Sequence, residues 1–164
     1  MVAEVSLENR RLLNPAFTGG LLVRAAYGYR REAHTDLPYI YAYLILPLVL
    51  HTQTRERLPN AVVTRLPTWA ERNGDLTALI SKRAGEFALA TRDAIFLITT
   101  TGLAGLDDRA KIIPLLPERK LLNFEKGTIS PEVTACFHKA NFVGRWLATS
   151  GTVPTVMTVL GVQL

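Results

Sequence analysis

Apolar residues recur three and four apart from residue 17 onward, at Phe17, Leu21, Leu22, Ala25, Ala26 and Tyr29, which is the period of an amphipathic helix. Asn14 followed by Pro15 supplies an N-cap and a pre-set first-turn φ, so the spacing predicts a first helix over 15–31. Gly19 and Gly20 sit inside that helix, where each costs about 1 kcal/mol relative to alanine. An adjacent pair fits a close approach, either by the next helix or by a partner's element. A second helix is expected from Asp36 as cap and Pro38 in the first turn, running toward His51 with a kink at Pro47. Because the stretch "LPYIYAYLILPLVL" is apolar on every face, that helix belongs in the centre of the domain.

The segment 52–65, "TQTRERLPNAVVTR", is polar and broken by proline, with Ala61-Val62-Val63 as a short extended piece. Pro67 opens a short helix carrying Trp69, and Asp75 after "NG" offers the next cap. Leu76, Leu79, Ile80, Ala84, Phe87, Thr91, Ala94, Ile95 and Ile98 then hold a helical period, divisible into two helices near Thr91-Arg92-Asp93. Gly102 and Gly105, the turn at Asp107-Asp108 and the strand-like Lys111-Ile112-Ile113 complete the order helix, helix, hairpin. That order is compatible with a winged-helix-like core, although any helix followed by a hairpin produces it. A loop leads to Ser130-Pro131, which cap a last long helix with Val133, Cys136, Phe137, Ala140, Val143, Gly144 and Leu147 on one face. Lys139, Phe142, Arg145 and Trp146 gather on its other face. Either that face meets solvent and a partner, or the helix is sandwiched and buries both sides. "TVPTVMTVLGVQL" is a short apolar tail. The expected fold is mainly α, about six helices with a small β-hairpin, in one domain over 1–164.

Composition narrows the class. The 48% hydrophobic and 20% charged content is that of a globular chain with some apolar surface to spare for a partner. The net charge is +5, and 14 of the 19 basic residues are arginine, a side chain suited to carboxylates and phosphates alike. The charges are scattered and form no basic arm. A single cysteine rules out an internal disulfide, and the N-terminus lacks a secretory apolar region, so a reducing cytoplasm is expected. The longest apolar run is too short to span a bilayer and contains Pro47, so no membrane span is expected.

Little in the chain points to chemistry. "TTGLAGLDD" has glycines but neither the lysine nor the following helix of a phosphate loop. His34, His51 and His138 are far apart, and Cys136 and His138, two apart on a helix, point to different sides. No nucleophile signature of the G-x-S-x-G kind is present. No catalytic residue, metal ligand or cofactor is therefore expected. A basic winged helix could present Arg83, Arg92, Arg109 and Lys111 to DNA phosphates; the same arginines could equally form a solvated face or meet an acidic partner. Aromatic residues and arginine concentrate binding energy at protein interfaces, which turns attention to Phe142, Arg145 and Trp146.

Four stretches taken together carry a resemblance: "RRLLNPAF", "LILPLVLHTQTRERLP" (44–59), "FALATRDAIFLI" (87–98) and "CFHKANFVGRWLATSG" (136–151). In their combination and order the chain resembles the middle component of three-component ABC systems, including the Lamassu-type anti-phage systems of bacteria. The resemblance implies a non-catalytic accessory subunit. It would bind an SMC-like, Rad50-like ABC ATPase and help hold an effector, often a nuclease, inactive until foreign DNA is sensed, so that DNA is met through the complex. Asn14, Pro15, Phe17, Pro47, His51, Thr54, Arg55, Lys139, Phe142, Arg145 and Trp146 are the matching positions. Asn14, Phe17, Gly19, Gly20, His51, Thr54, Arg55, Lys139, Phe142, Arg145 and Trp146 are the expected partner contacts.

Overall fold

Asn14 accepts the backbone N–H of Ala16 on its Oδ1 at 2.9 Å, and the helix it opens, α1, runs Pro15–Ala33. The computed structural model describes residues 13–127 and 130–163. Arg10, Arg11 and Leu12 of the signature stretch "RRLLNPAF", Thr128 and Ile129 of the loop before Ser130, and the terminal Leu164 lie outside the described residues. α1 stops at His34, which takes a left-handed φ of 53° and closes the helix by donating to the Arg30 carbonyl.

Asp36 is not the cap expected of it. Its carboxylate accepts from the Arg30 guanidinium at 2.7 Å, and the chain beyond it is extended: β1 is Leu37–Pro38. A single 3-10 turn, Tyr39–Tyr41, precedes α2, Ala42–Leu50, which therefore starts later than the Asp36-Pro38 signal implied. Every residue of α2 is buried, Pro47 within it included. A helix apolar all round has no solvent face to turn outward and becomes the centre of the core. His51 caps the following α3, Thr52–Arg57, its Nδ1 lying 2.7 Å from the Thr54 hydroxyl. A helix thus replaces the irregular start of the 52–65 segment, and Ala61-Val62-Val63 form a turn in place of an extended piece.

α4, Leu66–Arg72, carries the buried Trp69. α5, Gly74–Glu86, and α6, Ala88–Thr100, divide at Phe87 and not at Thr91-Asp93. Asp75 makes no cap there; its carboxylate takes the Arg57 fork at 2.6 and 3.0 Å. After α6, Gly102 adopts φ +73°, and Leu103 N–H reaches back to the Ile98 carbonyl at 2.9 Å, a left-handed closure that glycine allows without a Cβ clash. β2, Ala104–Leu106, and β3, Lys111–Pro114, form the hairpin. Asp107 Oδ1 fixes its turn by accepting from the N–H groups of Arg109 and Lys111 at 2.9 and 2.8 Å.

The sheet has one strand more than the hairpin. β1 pairs antiparallel with β3 (Leu37 opposite Ile112), β2 pairs with β3 on the other side, and the order is β1-β3-β2. α7, Glu118–Lys126, fills the expected loop, α8 is Pro131–Ala148, and α9, Val153–Val159, makes the tail helical. The fold is mainly α with a small antiparallel sheet, as the pattern indicates; among the described residues the helices number nine, the additional ones being short.

α1 packs chiefly against α8 and α6, and glycines make both contacts close. A Cβ on Gly19 would stand 2.6 Å from Ile98 Cγ2 of α6, whereas one on Gly20, about a hundred degrees round the helix, would meet the Phe137 ring of α8 at 3.2 Å. The adjacent pair therefore serves two different neighbours. The tightest points were not singled out by the sequence: a Cβ on Gly28 would fall 2.2 Å from the Asn141 carbonyl oxygen, and one on Gly144 2.0 Å from that of Ala25.

Candidate interaction surfaces

Trp146 lies fully buried, which corrects its expected place on a solvent-facing side. Of the two readings of α8, the sandwiched one holds at this position. Its indole N–H donates to the Thr64 carbonyl at 2.7 Å, and the Trp69 indole donates to the Arg57 carbonyl at 2.8 Å. The two rings meet edge to face at 5.3 Å, so they grip both ends of the loop between α3 and α4.

The other expected contacts divide between architecture and surface. Thr54 is fully buried and Arg55 is 4% exposed. The Arg55 guanidinium donates to the Val49 carbonyl at 2.8 Å and to Cys136 Sγ at 3.5 Å, and pairs with Glu132. It ties α2, α3 and α8 together from inside, as a buried cation must to offset its desolvation. His51 is spent on the α3 cap. Phe17 is half-buried against Phe137, ring centroids 5.8 Å apart. Gly19 and Gly20 face helices of the same chain. Asn14 is exposed, while Lys139, Phe142 and Arg145 are half-buried. The Lys139 ammonium sits over the Phe142 ring at 5.4 Å, Phe142 stacks on Trp146, and Arg145 donates to Glu32 at 2.7 Å.

The residues considered for DNA are spread over three elements. Arg83 is in the last turn of α5, Arg92 is on α6, and Arg109 and Lys111 are on the hairpin, where Lys111 Nζ donates to the Thr35 hydroxyl at 2.7 Å.

The surface that sequence reading missed is the outer side of α6. Its inner side, Thr91, Ala94, Ile95 and Ile98, is buried against the core. Two turns apart on the opposite side stand Leu89 and Phe96, 67% and 70% exposed. A groove runs beside them, with Ile95, Tyr39 and the half-exposed Leu106 of β2 along it and Arg92, Asp93 and Thr99 at its rim. The Tyr39 hydroxyl is 2.9 Å from that of Tyr43, and burial together with this bond pushes the Tyr43 phenol up to about 12. Covering Leu89 and Phe96 would contribute on the order of 1.5–3 kcal/mol each. The signal was present in the sequence: both are apolar residues seven apart that fall off the buried stripe of their helix.

No group of three or more His, Cys, Asp or Glu side chains able to hold a metal converges among the described residues. Burial pushes the Cys136 thiol up to about 11, against the opposing pull of Arg55, so it is a protonated core residue at neutral pH. Among the described residues, no helix is long and apolar enough to cross a membrane.

A family model described as ABC-three component (ABC-3C) system Middle Component 3 matches residues 2–164. No curated protein and no solved structure matches the chain.

Proposed function

Since the chain belongs to the middle component 3 family of ABC-three component systems, we propose that it joins an SMC-like ABC ATPase to an effector such as a nuclease in a bacterial anti-phage or anti-plasmid complex. It would hold the effector inactive until foreign DNA is sensed, contributing contacts and no reaction of its own. The observation that carries this reading is the outer side of α6: two large apolar side chains left in water beside a groove rimmed by arginine and lined by tyrosine. That composition is the one in which interface energy concentrates. We assign the groove to the ATPase. The half-exposed strip of Lys139, Phe142 and Arg145 on α8, with Asn14 and Phe17 at the start of α1, is assigned to the effector.

A second reading, a winged-helix DNA binder using Arg83, Arg92, Arg109 and Lys111, draws on the sheet order β1-β3-β2 and on the hairpin that follows two helices. Against it, the exposed side of α6, the helix that would enter a groove of DNA, gives two of its positions to Leu89 and Phe96, where phosphate and base-edge contacts need polar groups.

Co-expression with the neighbouring ATPase and effector tests the proposal. The wild-type chain should co-purify with the ATPase, and Leu89→Glu/Phe96→Glu should not, while its melting temperature stays that of the wild type. A double variant that still co-purifies removes the groove from the reading; a wild-type chain that binds neither component removes the reading itself.

A further inference from the structure

α7 turns its acidic residues inward and its basic ones outward. Glu118 accepts from Arg24 at 2.8 Å and from Arg31 at 2.9 Å, and Glu125 lies 3.0 Å from Arg24 Nε. With Leu121 buried beneath, the two hydrogen bonds of Glu118 clamp the helix onto α1, and both carboxylates are turned toward the arginines there. The outer side carries Arg119, Lys120, Asn123 and Lys126, all exposed, and none of the three cations makes an ion pair within the described residues. Counting the clamp, five cations (Arg24, Arg31, Arg119, Lys120, Lys126) face two carboxylates on this one element and its seat.

We propose that this ridge of α7 is a nucleic-acid-facing surface that takes the phosphate backbone of duplex DNA without reading its sequence. Arg119 and Lys126 are two turns apart, about 10 Å along the helix axis, and a duplex carries one charge per about 1.7 Å of its length, so one ridge spans several phosphates. The polar member, Asn123, is a donor of the kind that phosphates accept from. Two of the three cations are lysine, which is depleted at protein interfaces but serves freely as a phosphate contact. The α6 groove has a different make-up, apolar and aromatic side chains with one arginine and one aspartate. The ridge stands on its own observation and is independent of the assignment of α6 to the ATPase.

The experiment is fluorescence polarisation of a short labelled duplex of mixed sequence with the purified full chain, over a KCl series. The wild type should bind with an affinity that falls steeply with salt. Arg119→Glu/Lys120→Glu/Lys126→Glu should weaken it at least about tenfold, and the milder Arg119→Gln/Lys120→Gln/Lys126→Gln should lower the slope of log affinity against log salt by about 3. Both should melt with the wild type, since all three positions are exposed; if the charge reversal melts early, the glutamine variant alone decides. Arg72→Glu, exposed at the end of α4, should leave the affinity within about twofold. Absence of binding by the wild type, an unchanged affinity in the glutamine variant, an equal loss in Arg72→Glu, or displacement of the duplex by an equimolar acidic peptide would each overturn the proposal, the last in favour of an acidic protein partner.

Discussion

Gly144 of α8 lies against Ala25 of α1 so closely that a Cβ on it would stand 2.0 Å from the Ala25 carbonyl oxygen. The obstacle is backbone, not the tip of a flexible side chain, so neither helix can yield without the two moving apart.

Gly144→Ala should therefore cost about 3 kcal/mol despite the gain in helix propensity, because overpacking a fixed crossing exceeds what alanine returns. Gly20→Ala meets only the edge of the Phe137 ring, at 3.2 Å, and should stay within about 1 kcal/mol of the wild type. Urea denaturation of the two variants separates these outcomes. Equal stabilities would mean that the α1–α8 approach is looser than described.

Trp146→Ala should destabilise the isolated chain by about 3–5 kcal/mol, the cost of emptying a fully buried indole site, which lowers the melting temperature by about 10 °C or more. Trp146→Phe keeps ring contact with Trp69 but leaves the Thr64 carbonyl without its donor, a loss of about 1–2 kcal/mol. Circular dichroism melts of the chain alone report both. A Trp146→Ala chain that melts like the wild type would place this residue outside the core.

Glu125 gives a pH dependence with a definite sign. Its folded-state pKa is raised above the ordinary 4.5, first by burial, with Arg24 and His138 pulling it down and Glu118 pushing it up. The folded state then holds the proton longer than the unfolded state does, so this group's contribution to stability is lost as pH rises from 4.5 through the raised value. Glu125→Gln should flatten that part of the profile, while Arg24 keeps Glu118. Denaturant midpoints measured at pH values from 4.5 upward check it; an unaltered slope in the variant would assign the dependence to another group.

The start signals of α1 and α8 were legible because they are local: Asn14-Pro15 and Ser130-Pro131 place a capping oxygen and a fixed φ in consecutive residues. Signals settled by distant partners were not. Asp36 has the chemistry of a cap, but Arg30 takes its carboxylate, and the freed chain pairs as a two-residue strand with Ile112, too short to show a period. α7 went unseen because Pro117 leads into it with no side-chain cap. Trp146 was misplaced because a helical wheel tells which residues share a side but not how many sides are covered. Of the candidate surface, Leu89 and Phe96 were visible as apolar residues off their stripe. The groove beside them needed Tyr39 and Leu106, which only the sheet brings to α6.

The crossing of α1 with α8 also sets when the molecule can fold. Residues 15–33 find their main neighbour only in residues 131–148, so during synthesis the first helix leaves the ribosome more than a hundred residues before its seat exists. Throughout that interval α2, apolar on every side, has α1, α5 and α6 to pack against but not α8. Closing so long a loop before its contacts reward it makes for slow assembly and exposed intermediates, with the α8-facing side of α2 open until residues 131–148 emerge.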